Sequence, residues 1–501
     1  MKTDKQGDRG KETIQLHHAN TLEFDKRLGD GAKRLIGNVE LEDDSVLMNC
    51  DSAYVYTDNS FRAFGHVHMS RKDTMDLYGD SVHYSGDNKK AEMFGAIRYL
   101  HKAMTLTTHH LLYDLNATTV NYWDGGTLVD SANTLVSRLG SYNSSERMSS
   151  FKDNVVLTNP KYIMKCDTMD YAPDEQIAYF RSPTRITSKS NFMYCVAGYY
   201  NTHTGVSQFW NNAYIIGKKG TRLSGREIYY NRKKDFGQIL DNVVLSDSAD
   251  KINIMGDYAQ YNGMDKNIMV TCHALMDQMF EKDTLHLHGD TLFGYNISMS
   301  DTEGSSSPKL LLAYHHVKFF KKDMQGKCDS LSYDEKDSIM RMFHLPIVWS
   351  QANQLTADTM YLHLKNKQLS LLDMLQNSFI ASKDTAASKD DSLQFNQIKG
   401  RNMKGFFVDN KIYKVNVTGN AQTIYYAYSD NNTTVIGANR ADCSSMQVFI
   451  SNNKVKSITY LQKPDATLYP MKDVKPSEFL LGNFYWHEDE RPKTKEDIFK
   501  D

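Results

Sequence analysis

GDSVHYSGDNKKAEMFGAIRYL, residues 79–100, holds two strand signatures joined by a polar turn. In its first half Asp80 is followed by Val82 and Tyr84, with His83 and Ser85 between and after them. In its second half Gly95 is followed by Ile97 and Tyr99. Apolar residues at every second position describe a strand with one buried face and one wet face. The join, SGDNKKAE, has turn composition.

Both halves recur. CDSAYVY (50–56), CDTMDYA (166–172), GREIYYN (225–231), GDYAQYN (256–262), CDSLSYD (328–334) and ADTMYLH (357–363) repeat the first. GNVEL (37–41), GHVHM (65–69) and DNVVL (153–157 and again 241–245) repeat the second. Tyr84, Tyr113, Tyr142, Tyr171 and Tyr200 fall 29 residues apart, and Tyr230 and Tyr261 follow at 30 and 31. A fixed period means that each unit buries its apolar face only by stacking on its neighbours. The expectation is an all-β repeat fold of stacked antiparallel strands, with about 29 residues per two-strand repeat. The recurrent Asp reads as a structural acceptor for backbone N–H groups at a bend, since every repeat carries one.

Composition agrees. Thirty Tyr and 22 Phe against 4 Trp suit strands, and only 9 Pro in 501 residues suit long uninterrupted ones. A net charge of -2 gives no general attraction for nucleic acid. No run of eighteen apolar residues is present to span a bilayer as a helix. The opening MKTDKQGDRGKETIQLHH is charged and lacks the apolar stretch of a secretory signal. A cytoplasmic protein and a mature chain already freed of its signal both stay open.

Cys50, Cys166 and Cys328 each precede an Asp-Ser or Asp-Thr pair, so they occupy one station in distant repeats, beyond the roughly 7 Å reach of a disulfide. With Cys195, Cys272 and Cys443 they read as small buried fillers. The His66/His68 and His286/His288 pairs share a strand face, a geometry that metals use. They flank buried stations and read instead as water-facing, so no metal site is expected; no cofactor is expected either. No phosphate-binding, zinc-protease or nucleophile-elbow motif occurs in its expected context, and no catalytic residue stands out.

The order of half-units G-N-V-x-L and A/G-D-x-x-x-Y, entered by IQLHHANTLEFDKRLGDGAKRLIGNVELEDDSVLMNCDSAYVY, resembles the OstA-like (organic-solvent-tolerance) family of lipopolysaccharide-transport proteins. The resemblance spans roughly residues 12–300 and is partial to about 460. It implies a β-jellyroll (β-taco), two antiparallel walls hinged into a U, whose apolar interior shields lipid acyl chains during transport to the outer membrane. It implies a periplasmic, possibly outer-membrane-associated protein that binds and does not catalyse. The implied partners are lipopolysaccharide through its lipid A acyl chains, and other transport proteins or a second copy by end-to-end strand addition. The groove-lining residues it implies are Ile14, Leu16, Val39, Leu41, Ala53, Val55, Val67, Met69, Val82, Tyr84, Ile97 and Tyr99. From the residues alone, a β-helical polysaccharide-active enzyme and a structural or adhesive solenoid remain alternatives.

The layout read from sequence is a flexible start (1–11), repeats (12–300), further repeats (301–380) after a polar insertion at SDTEGSSSP, a β segment of unassigned role (381–485) and a charged, exposed tail (486–501).

Overall fold

The computed structural model describes residues 14–24, 31–43, 46–72, 75–130, 132–189, 191–217, 220–281, 283–295, 309–366, 368–383, 394–409, 411–429, 434–451, 454–475 and 479–500. The flexible start, the polar insertion at 300–308 and nearly all of the polar segment 382–392 lie outside them. Among the described residues the chain is built of β-strands, with 3-10 turns at Met471–Asp473 and Glu496–Phe499 and no α-helix. The fold is all-β, its strands paired antiparallel, as the 29-residue period predicts. It divides into two compact units, Met1–Ile216 with Glu227–Lys233 and Gly217–Arg226 with Lys234–Asp501.

In the first unit the strands Lys33–Asp43, Val46–Val55, Ser60–Arg71, Met75–Ser85, Lys90–His101 and Met104–Asp114 pair antiparallel in chain order. Each is long because each runs straight through the motif that sequence places at a bend. The bend sits mid-strand. Gly65 and His66, both left-handed (φ 76° and 44°), stand together opposite the single residue Asp80, since Phe64 pairs with Ser81 and Val67 with Gly79. Gly37 and Asn38 oppose Asp51 in the same way, and Asp153 and Asn154 oppose Asp167. Two residues facing one is a bulge, which kinks the strand. Gly, Asn, Asp and His hold these positions because they tolerate φ > 0 at least cost. At Gly65 a side chain would also strike the Asp51 carboxylate. Asp80 accepts the backbone N–H of Ala96 at 3.0 Å, while other corner Asp residues meet side chains of the facing bulge, as Asp51 meets His66 and Asp257 meets His273, both at 2.7 Å.

This corner resets which residues face inward. Before Asp51 the buried positions are Val46, Met48 and Cys50; after it the phase slips to Ala53. Across Gly65–His66 the buried set runs Phe61, Ala63, then Val67 and Met69. Each strand thus supplies two stretches of inward side chains, one to each of two facing walls. Further along, the corner breaks strands outright, giving half-strand pairs such as Thr119–Tyr122 with Gly126–Asp130 and Asn191–Cys195 with Ala197–Asn201.

The wall ends carry hairpin turns, and these too keep the beat. Lys89, Thr118, Arg147, Gln176 and Gly205 all have φ > 0 and fall 29 residues apart. Four of their carbonyls accept the N–H of the next repeat's turn: Leu115 to Lys89, Ser144 to Thr118, Thr202 to Gln176 and Arg232 to Gly205, at 2.8–3.0 Å.

The second unit repeats the corner, with Asp241–Asn242 opposing Asp257 and His315–His316 opposing Asp329. Its later strands lengthen to 14, 18 and 17 residues at Phe395–Val408, Lys411–Tyr428 and Val435–Ser451. The segment expected as an exposed tail (486–501), together with residues 479–485 before it, is instead a strap over the outer face. Gln397 donates to the Phe479 carbonyl (3.2 Å) and accepts from the Leu481 N–H (2.8 Å). Gln354 does the same with Tyr485 and His487, both at 2.7 Å. Arg491 bonds Gln325, Lys327 pairs with Glu490, and Lys495 reaches Asp277 at 3.2 Å. Trp349 pairs across strands with both Gln325 and Gln354, so it shares their strap-side face and is fully buried. The charge pattern suggested solvent, but the acids and bases of the strap are used on partners, while Leu481 and Ile498 are buried.

Candidate lipid groove

The interior of the first unit is the feature that the inward phase builds. Val39, Leu41, Ala53, Val67, Met69, Val82, Tyr84, Ile97 and Tyr99 are all buried there. Ile14 and Val55 are half-buried. Leu16 is 45% exposed, on the edge strand Gln15–His18, which pairs on one side with Lys33–Asp43. Sequence reasoning took, besides the first strand, only the residues that follow each corner Asp or Gly. It missed the wall contributed before the corner, Met48 in one strand, Met75 and Leu77 in another, and took Cys50 as a buried filler without assigning it to that wall. The signal was present in M-x-C-D, where the apolar alternation runs up to the Asp and then slips by one.

The interior is filled. The Phe61 and Tyr84 rings stack at 4.8 Å and those of Tyr99 and Tyr142 approach to 6.2 Å. The same burial acts on the titratable groups. Burial pushes the Cys50 thiol up to about 11 and those of Cys166, Cys195 and Cys328 up to about 12. Such thiols are poor nucleophiles. Burial likewise raises the phenols of Tyr99, Tyr113 and Tyr200. All six cysteines are free, and five sit just before a corner; the exception, Cys272, is exposed at a left-handed corner with His273 rather than filling the core.

The tyrosine beat has a second role that sequence did not reveal. Three of these tyrosines, near the wall ends, meet residues of the opposite wall across the mouth of the U, two of them through the hydroxyl. Tyr84 donates to the Asp43 carboxylate, which Lys89 also binds at 2.8 and 3.0 Å. Tyr171 donates to Asp130 at 2.5 Å and accepts from Asn133 at 3.2 Å. Tyr142 meets His101, ring centroids 5.6 Å apart. Lys102 reaches Asp174 across the same mouth at 3.2 Å. The residues 41 before Tyr84, Tyr113, Tyr142, Tyr171 and Tyr200 are Asp43, Lys72, His101, Asp130 and Asn159, polar every time. The mouth is a polar seam closing an apolar interior.

The histidine pairs divide. His66 is water-facing, its Nδ1 2.7 Å from Asp51, and that bond raises its pKa. His68 stacks on Tyr78 at 4.3 Å and meets Asp76 at 2.9 Å. His286 and His288, expected to face water, are instead largely covered on the strap side, His286 against Asp277 at 2.6 Å and His288 4.6 Å from Phe499. Burial lowers the His288 pKa. Among the described residues no group of three or more His, Cys, Asp or Glu is set to hold a metal.

A family model described as OstA-like protein matches residues 11–167. No curated protein matches the chain. Among solved structures, LptH of Pseudomonas aeruginosa, described as the LptA homologous periplasmic component of the conserved lipopolysaccharide transport device, aligns at 16% identity with a TM-score of 0.21, covering 22% of this chain and 82% of that one.

Proposed function

We propose, from the match of residues 11–167 to a model of the OstA-like family, that this protein is a periplasmic component of lipopolysaccharide transport, and that it shields lipid acyl chains between its two walls without catalysing a reaction. The observation that carries the reading is the dry apolar interior, lined from both walls on every strand and continuous through successive repeats of the first unit. Each buried CH₂ contributes about 0.8 kcal/mol, so a chain of some twelve carbons gains on the order of 10 kcal/mol. A surface of near-uniform apolarity offers sites of similar energy, along which a lipid slides with no chemistry required. The exposed first strands, with Leu22 and Phe24 open to solvent, suit docking of a partner strand by edge pairing.

The test is site-specific photo-crosslinking in cells with the probe at Val82, which is buried, and at its exposed neighbour His83. A lipopolysaccharide adduct at Val82 and not at His83 is the expected result. Adducts at neither site, in folded and correctly located protein, would end the reading in favour of a structural core.

A further inference from the structure

The interior of the first unit is filled by its own side chains, so any lipid that enters must first part the walls. Two edges bound the U. At the corner, every strand continues from one wall into the other through covalent backbone, and its neighbours are hydrogen-bonded on both sides of the bulge. At the mouth, the bonds that span the gap are between side chains: Tyr84 and Lys89 with Asp43, Tyr171 with Asp130 and Asn133, Lys102 with Asp174. The mouth is therefore the weaker edge.

The chemistry of the seam points the same way. Asp43 and Asp130 are buried carboxylates at positions where an apolar residue would join the lining on either side. Replacing buried ionic contacts by apolar ones is often neutral or stabilising. A permanently shut mouth has no need of carboxylates. Charged partners can instead be exchanged, for water or for another anion, when the walls part. The cations stand on the same rim: Lys89 and Lys102 each hold a carboxylate drawn from the opposite wall. An amphiphile with chains between the walls leaves its head at this rim, where a phosphate offers Lys89 more acceptor oxygens than Asp43 does.

We infer that the Tyr84–Asp43–Lys89 and Tyr171–Asp130–Asn133 clusters form a lateral gate, through which a phosphorylated lipid enters sideways while Lys89 passes from the Asp43 carboxylate to the phosphate. This rests on the proposed lipid-binding role and adds to it the route and the head-group chemistry. Entry at any point along the seam needs only local parting of a repeat or two. The same clusters close the seam behind the lipid.

The experiment uses the full chain with the exposed Cys272 replaced by Ser, and spin labels on Lys72→Cys and Asp87→Cys, exposed turns at the two ends of the strand Met75–Ser85. Distance distributions are recorded alone, with lipid A, and with its dephosphorylated form. The label distance is expected to widen with lipid A and to widen less without the phosphates. Asp43→Asn with Tyr84→Phe is expected to broaden the distribution without ligand and to speed lipid uptake at least fivefold. Tyr171→Phe alone serves as a milder variant, with circular dichroism checking that both fold. Lipid crosslinked at Val82 with an unchanged label distance and unchanged uptake would overturn the gate while leaving the groove intact. Equal widening by the dephosphorylated lipid would overturn the exchange to phosphate. Absence of any Val82 adduct, in the wild type and in the loosened variants, would overturn the gate and the lipid-binding role together.

Discussion

Removing the Tyr171 hydroxyl tests the seam at its best-formed cluster. Tyr171 and Asp130 are 1% and 5% exposed, and the phenol donates to the carboxylate at 2.5 Å. Phe at this position keeps the ring and deletes one bond to a buried charge, which costs about 2–3 kcal/mol. Asp130→Asn keeps an acceptor but removes the charge, a loss of about 1 kcal/mol. The two changes made together share the same bond, so the coupling between them is expected at about 1–2 kcal/mol. Global unfolding of a chain with two compact units is a poor gauge, because such chains seldom unfold in one step. Hydrogen exchange of the amides at Tyr171 and Asp130 is the better one, and about 2 kcal/mol of lost local stability appears there as roughly 30-fold faster exchange. Additive effects, with coupling below about 0.5 kcal/mol, would refute a direct bond across the mouth. The apolar pair Asp130→Leu with Tyr171→Phe discriminates further: exchange as slow as in the wild type, or slower, is expected if polarity at the seam serves opening rather than strength.

Other outcomes follow from the same structure. Asp247 sits near Lys309 and Asp250; burial raises its pKa, but the Lys309 bond at 2.6 Å and backbone N–H groups outweigh that, and the net shift is downward. A depressed folded value means that this contribution is present above the ordinary carboxylate range and lost as pH falls through the folded pKa, so the acid limb of a stability profile should move to higher pH in Lys309→Met. The His66 imidazole is held above its usual range by Asp51, and an NMR titration should show it falling toward 6.5 in Asp51→Asn. Ile498→Ala, at 1% exposure in the strap, should cost about 2–4 kcal/mol of strap docking and make the linkers at Lys493 and Lys495 trypsin-sensitive; unchanged digestion would mean that the polar contacts alone hold it. Ile14→Pro should abolish end-to-end assembly by strand addition, and unchanged assembly on a sizing column would count against edge pairing.

Much of the fold was legible because its signals are local. Val82 and Tyr84 announce a strand by alternation, and the 29-residue beat announces stacking. The corner was half legible. The recurrent Asp was placed at a bend, but a bulge within a continuous strand differs from a turn only in what opposes it, and the residues opposite Asp80 lie on another strand. The seam was illegible at short range, since Asp43 and Tyr84 meet from 41 residues apart. It needed two interleaved beats to be compared, not one. The strap was misread because charge counts report composition and not partners. Lys327 and Glu490 look solvated in sequence and pair in space across 163 residues.

The turn ladder bears on how such a chain can change its length. Lys89, Thr118, Arg147, Gln176 and Gly205 mark the same interval as the tyrosines, and so do Asp43, Lys72, His101, Asp130 and Asn159. Three separate ladders therefore share one count. Adding a single residue inside a strand turns its inward side chains outward, and adding any number short of a repeat leaves one ladder out of step with the others. Growth or shrinkage by whole repeats disturbs none of them. Length in this unit is in effect quantised, and relatives of different size should differ by integer numbers of repeats, with irregular insertions confined to the turns.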